Sequence, residues 1–303
     1  MKLFPSSAEI DSLFANGNPE DVWQKATDII RRISPAYDAT LARIIFDDVI
    51  RLFRGEYPGY CEVKMLYHDL QHTLDAFLCA VRLMYGVHVS GSKLTDDELT
   101  VVMIASLMHD VGYAQRRGEE SGTGAQYTLI HVDRGIEFMQ QYIVEKHFPA
   151  AYVAPLKVVI RCTDPAINIT EIQFPDERAR LLGKILGTAD LVGQMADRNY
   201  LEKLLFLYLE FKEGHVGNYQ DVHNLLRNTQ AFYEATQRRL GEQFDNINSK
   251  LSFYFMDWYG VETNYYLESI EKNIAYLARI TAFDDATHLS MLKRLGNLKK
   301  LHP

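Results

Sequence analysis

The sequence predicts an all-α protein, and three observations carry the prediction. Apolar residues recur at helical spacing along most of the chain, whereas the alternation of a half-buried strand is scarce. Cap residues and Gly or Pro stops bound the periodic segments. Residues 101–108 (VVMIASLM) are apolar nearly all round, as in a central helix rather than a surface one.

Taken in order, residues 20–34 (EDVWQKATDIIRRIS) predict an amphipathic helix ending at Pro35. Residues 39–54 (ATLARIIFDDVIRLFR) predict a second, stopped by GEYPGY. A third covers 68–86 and ends at Gly86. The central helix opens with Thr95 three residues before Glu98, the spacing of a capping box, and ends near Gly112. A loop with glycines at 118, 122 and 124 follows, then helices over 126–147 and 152–163, the latter stopped by Pro165. INITEIQFPDER reads as a short extended or irregular segment, with Asp176 as the cap of a helix over 177–196. Further helices are expected at 199–213, 219–246, 262–281 and 286–300. With no linker, low-complexity tract or repeat, residues 1–303 read as one all-α domain, with 1–60 and 218–303 as accessory bundles the other option.

Composition narrows the function classes. With 47% hydrophobic and 24% charged residues the chain reads as globular, and no apolar run approaches the roughly 20 residues of a membrane span. The N-terminal MKLFPSSAEIDSLF is a poor signal peptide. Cys61, Cys79 and Cys162 are an odd number without a CxxC, which fits reduced thiols in the cytoplasm. A formal net charge of −8 disfavours a broad grip on nucleic acid. An anionic substrate would need positive charge supplied locally, by arginines, lysines or metal ions.

Candidate chemistry lies in histidines and acids set in apolar helical stretches, where a polar group is costly unless compensated. His68 and His72 are one helical turn apart and so share a face. His109 and Asp110 end the most apolar helix, His131 follows the glycine-rich loop, and Asp190 lies between KILGTA and LVGQM. Adjacent helical residues diverge by about 100°, so His109 and Asp110 can share a cation only if it lies against the helix and other helices close over it; a nearby helix end, which Gly112 supplies, makes that easier. Each feature alone has an ordinary reading: a surface histidine pair, a chance dipeptide, a cap, a satisfied polar residue. Their joint order, H…HD…D around a central apolar helix, is much less expected by chance. Imidazole with carboxylate suits zinc, iron, manganese or nickel, while magnesium prefers all-oxygen surroundings.

That order resembles the HD-domain metal-dependent phosphohydrolases over about residues 60–215. YHDLQHTLDA is similar to the motif opening the catalytic domain of cyclic-nucleotide phosphodiesterases, SLMHDVGY to the HD signature, and GTADLVGQM to the segment bearing the last aspartate. IRCTDP is similar to a further phosphodiesterase stretch. The resemblance implies an HD-domain helical bundle with additional N- and C-terminal helices. It implies a first divalent metal on His72, His109, Asp110 and Asp190, and a second bridged by Asp110 and assisted by His131. His68 would protonate the leaving oxygen. The cofactor would be one or two divalent ions (Zn, Fe, Mn, Ni or Mg), and the substrate a small, nucleotide-like phosphate ester. Three positions depart from the pattern: Tyr113 stands where phosphodiesterases have a histidine, Asp69 replaces an asparagine, and Cys162 lies where some HD hydrolases have another histidine.

Arg116, Arg117 and Lys184 are candidate phosphate-steering cations; a solvated loop in which the arginines meet Glu119 and Glu120 is the plainer reading. The aromatic stretch at 253–266 could stack on a base, form core or present a homodimer surface, and 200–211 reads as core. Three functions follow: a phosphoester hydrolase, a weak or inactive metal- and nucleotide-binding sensor of the same fold, or a helical interaction protein with structural histidines.

Overall fold

In the computed structural model, which describes residues 18–292, the chain forms twelve α-helices joined by short 3-10 turns, and no strand occurs among these residues. Helices α1 (Pro19–Ile33) and α2 (Thr40–Phe53) lie where expected, the first capped by the Asn18 side chain. Helix α3 runs Leu70–Val89 and differs from expectation at both ends: His68 precedes it, and Gly86 lies inside it. Gly86 is an approach point rather than a stop, because a Cβ there would sit 1.9 Å from the Lys250 carbonyl oxygen. Helix α4 (Asp96–Met108) begins with the expected capping box, Thr95 and Glu98 each satisfying the other's backbone N–H.

Helix α5 (His131–Glu145) starts later than predicted, since a 3-10 turn at Ala125–Tyr127 takes up the first residues. Helices α6 (Val153–Arg161) and α7 (Glu177–Ala196) follow, the latter capped by Asp176 as predicted; between them the irregular segment contains a 3-10 turn at Ile169–Glu171. Then come α8 (Tyr200–Glu213), α9 (Val222–Glu242), α10 (Leu251–Tyr259), α11 (Tyr265–Thr281) and α12 (Asp285–Met291). Helix α10 was not foreseen, because its aromatic run shows little periodicity. The signal-peptide reading of the first residues, and the last helix beyond residue 292, lie outside the described residues.

Three helices organise the molecule. Helices α3, α4 and α7 each pack against the other two, and α3 is buried almost continuously from His72 to Val87. Helix α1 and α10 lie against α3, and α11 against α7, so both ends of the described chain join one core. The aromatic stretch belongs to that core. Arg82 of α3, 1% exposed, donates to the Tyr266 hydroxyl at 2.7 Å and faces the Tyr254 ring at 5.2 Å. Tyr254 and Tyr266 thus face a buried guanidinium rather than an open surface, while Phe253 of the same stretch is exposed.

Helix α5 is tied to α2 by Asp48, whose carboxylate accepts from Lys146 (2.6 Å), Tyr142 (2.9 Å) and Arg51 (2.8 Å). Burial would raise the carboxyl's pKa, but Lys146, Tyr142 and Arg51 outweigh it and hold it below the usual range. A pKa lower in the folded than in the unfolded chain stabilises the fold above about 3.9, and the contribution disappears as pH falls through the folded value. Asp48→Asn is thus expected to lower the urea midpoint at pH 7, with the gap to the parent narrowing as the titration is repeated toward pH 3.

Candidate metal centre

The opening motif is a helix start. Asp69 is the N-cap of α3, its carboxylate accepting the His72 N–H at 2.8 Å, so His72 sits in the first turn. Asparagine would cap the helix equally well at this position. His68 lies one residue outside the helix, which overturns the shared-face argument. The two rings nevertheless meet edge to face, with centroids 5.6 Å apart. At the far end of α4, His109 is the C-cap and the chain then tightens into a 3-10 turn, Val111–Tyr113. Leaving the α-helix there is what brings Asp110 back to the side of its neighbour.

Four buried side chains from α3, the end of α4 and α7 converge. Asp110 Oδ2 lies 3.2 Å from His72 Nε2 and 3.2 Å from His109 Nε2, and the two ring nitrogens are 3.3 Å apart. Asp190 Oδ1 lies 3.2 Å from His72 Nε2 and 3.6 Å from His109 Nε2. His72, His109 and Asp110 thus form a group that could hold a metal ion. His109 Nδ1 donates to the Ser106 carbonyl at 2.9 Å, so Nε2 is the ring atom turned into the cluster, able to ligate an ion once it carries no proton.

These residues fit a cation on two grounds. Asp110 Oδ2 is buried with no hydrogen-bond partner, although two imidazole nitrogens stand beside it. A tetrahedral shell with ligands at about 2.0–2.1 Å has edges of roughly 3.3–3.4 Å, close to the separations found. Charge agrees with geometry: two buried carboxylates call for two positive charges. Burial pulls the His72 pKa down, but Asp110 and Asp190 outweigh it and carry it up to about 10. His109 is raised in the same way by Asp110, against its own burial. Asp110 is pushed up by burial yet held well below the carboxylate range by His109 and His72. One divalent ion would supply the same two charges.

The second oxygen of Asp110 faces elsewhere. His131, first residue of α5, donates from Nδ1 to the Thr128 carbonyl (2.7 Å) and points Nε2 at Asp110 Oδ1, 3.6 Å away. His131 therefore stands apart from the first cluster, on the far side of the shared aspartate. Burial lowers its pKa, more than Asp110 raises it. Gly112 permits this approach, because a Cβ there would lie 1.8 Å from the His131 carbonyl oxygen and 2.7 Å from Gly135 N. Since both are backbone atoms, Gly112→Ala is expected to destabilise the fold by about 1–3 kcal/mol in a urea titration.

Tyr113, 1% exposed, lies between two histidines, its ring 4.8 Å from that of His68 and 4.4 Å from that of His131. Tyr113 thus offers both imidazoles a stacking surface. Cys162 does not stand in for the other histidine: it is buried, its Sγ donates to the Val158 carbonyl, and it packs over Gly183.

Sequence reading missed Glu210. It belongs to the helix read as core, yet its Oε2 accepts from His68 Nδ1 at 2.7 Å, while Oε1 accepts from the N–H groups of Leu66 (2.9 Å) and Tyr67 (2.7 Å). One turn on, Glu213 takes the N–H (2.8 Å) and hydroxyl (3.0 Å) of Thr123 in the glycine-rich loop. The available signal was an acid on the apolar face of YLEKLLFLYLEF.

The expected substrate cations are not brought to the cluster. Above it opens a cavity of about 340 Å³, and its lining includes none of Arg116, Arg117 and Lys184. Lys184 pairs with Asp245 at 2.5 Å, and Arg117 reaches toward the Gly55 carbonyl. Arg116 lies by Tyr60, across a backbone bridge between the two residues. Arg116 and Arg117 are held on the surface by the loop's own contacts with residues 55–60, and Lys184, on α7, by Asp245. A second His/Asp group, His223, Asp285 and His288, lies between α9 and α12. His223 Nδ1 and His288 Nδ1 are 3.2 Å apart, a distance one ring N–H satisfies, and half-exposed Asp285 is paired with Arg227 at 2.5 Å.

A family model described as Npun_R2479-like matches residues 117–243, a span that includes His131, Asp190 and Glu210 but not His68, His72, His109 or Asp110. No curated protein matches the chain. No helix among the described residues is long and apolar enough to cross a membrane.

Proposed function

We propose that the protein is a metal-dependent hydrolase of phosphate esters. The observation that carries the reading is the buried convergence of His72, His109, Asp110 and Asp190 at the floor of an open cavity, with Asp110 Oδ2 left without a hydrogen bond. The resemblance of the same residues to the HD phosphohydrolases supports it. His72, His109, Asp110 and Asp190 would hold the first ion; Asp110 Oδ1 and His131 would assist a second. Divalent ions there would neutralise the phosphate oxygens and make hydroxide available near pH 7.

The chain's own contributions are position and protons. His68 lines the cavity, and its Nδ1 donates to Glu210, which fixes the ring; as an imidazolium held by that carboxylate it would give its Nε2 proton to the departing alkoxide and be left neutral. Tyr113 holds the His68 plane from one face. Asp69 and Ser106 orient His72 and His109 through the backbone bonds described above. The resemblance makes a nucleotide-like ester the first substrate class to test.

A weak or inactive sensor that binds metal and a nucleotide is the second reading, favoured by Tyr113 in place of a ligating histidine. Metal analysis of protein purified without added metal, followed by assay of bis-p-nitrophenyl phosphate with manganese, separates the readings. Bound metal with turnover is expected; bound metal without turnover selects the sensor; neither metal nor turnover leaves the histidines structural.

A further inference from the structure

We infer that the ester admitted to this cavity carries one phosphate and a bulky apolar group instead of a nucleoside; the inference rests on the phosphohydrolase reading above. The cavity walls opposite the metal-ligand cluster come from α8 and α9 and present Leu204, Leu207, Phe211, Leu225 and Phe232. At the rim, Leu129 and Ile130 are 75% and 50% exposed and Phe232 is 44% exposed, so apolar surface continues to the mouth.

Charge points the same way. Among the described residues, no Arg or Lys lines the cavity, whereas Asp133 and Asp164 join Asp110 and Asp190 in its lining. Arg161 stands near but is paired with Asp133 at 2.6 Å. Ions at the floor could neutralise the phosphate being cleaved. Any further phosphate would lie against a wall that offers carboxylates and no cation, a costly placement away from water.

Several polar groups on the wall already have partners. Gln194 accepts from the Tyr67 hydroxyl at 2.6 Å and donates to the Asp190 carbonyl at 3.2 Å. Thr163 and Thr229 donate to the carbonyls of Ile160 and Leu225, both at 2.9 Å, and Asn228 donates to that of Asn224 at 2.8 Å. A nucleobase brought here would leave most of its hydrogen-bonding edge unpaired, whereas an alkyl or aryl group would not.

The test uses the full chain with manganese and a series of p-nitrophenyl phosphodiesters whose second alcohol is methanol, butanol, octanol or thymidine (through its 5′ oxygen). Full burial of a methylene is worth up to roughly a fourfold factor. The expected kcat/KM therefore rises at least about thirtyfold from methyl to octyl, with the thymidine ester below octyl. A flat series, or thymidine as the best ester, overturns the inference while leaving the hydrolase reading intact. If no ester is cleaved, the hydrolase reading fails, and binding decides the inference: octyl phosphate should raise the melting temperature where thymidine monophosphate does not. The reverse order, or no shift with either, overturns it. Phe232→Lys, at a half-exposed position that tolerates charge, should reduce the octyl-to-methyl ratio (of rates or of affinities) several-fold; an unchanged ratio counts against the apolar wall.

Discussion

Asp110→Ala is expected to lose metal and turnover together, with metal content after dialysis falling to background. Both of its oxygens have separate work in the proposed site: Oδ2 sits 3.2 Å from two imidazole nitrogens, and Oδ1 faces His131. Without the carboxylate, Asp190 would be the one carboxylate left beside the Nε2 atoms of His72 and His109, too little charge to hold a divalent ion there. Asp110→Asn keeps the volume and removes the charge, so it guards against a trivial packing defect. It should behave like alanine in metal content while retaining the parent's circular dichroism. Stoichiometric metal in a folded Asp110→Asn protein would remove this residue from the ligand set.

His68→Ala is expected to give the opposite pattern on an ester whose leaving group is an alkyl alcohol: metal retained, kcat reduced by about 10²–10⁴, as for loss of a general acid. The separation is possible because His68 is outside the four-residue cluster and is held by Glu210, not by the ligands. Glu210→Gln sharpens the test. Its remaining oxygen can still accept from the Leu66 and Tyr67 N–H groups, but the amide NH₂ that replaces Oε2 cannot accept from His68 Nδ1. Its effect should fall on kcat more than on KM, and the double variant should be little worse than His68→Ala, because two residues acting as one unit are not additive. Loss of metal from His68→Ala would make the residue a ligand and refute its role as proton donor.

Much of the fold was legible because its signals are local. The capping box at Thr95 and Glu98, the Asp176 cap and the prolines after α1 and α6 act within a few residues, and the structure follows them. Gly86 misled for a reason that is not local: the need for a small residue comes from Lys250, far along the chain. The start of α3 was misplaced because Asp69 was read as a variant motif residue when it is the cap that begins the helix.

Within the candidate site, apolar context singled out His68, His72, His109, Asp110, His131 and Asp190, because burying such groups demands compensation, and the resemblance to the HD phosphohydrolases grouped His72, His109, Asp110 and Asp190 as ligands. It also favoured helical sharing of a face by His68 and His72, which fails, since His68 is outside the helix. Arg116, Arg117 and Lys184 were named by charge alone, and charge does not say which way a loop folds or which face of a helix looks into the cavity.

By itself, the sequence determined the all-α class, most helix termini and the kinds of side chain gathered in the site, since periodicity and capping are written in neighbouring residues. Only the tertiary structure decided that Asp110 divides its two oxygens, that Glu210 holds His68, and that the cavity wall is apolar and free of Lys and Arg among the described residues. These depend on how α3, α4, α7, α8 and α9 pack, and packing joins residues that no local pattern relates.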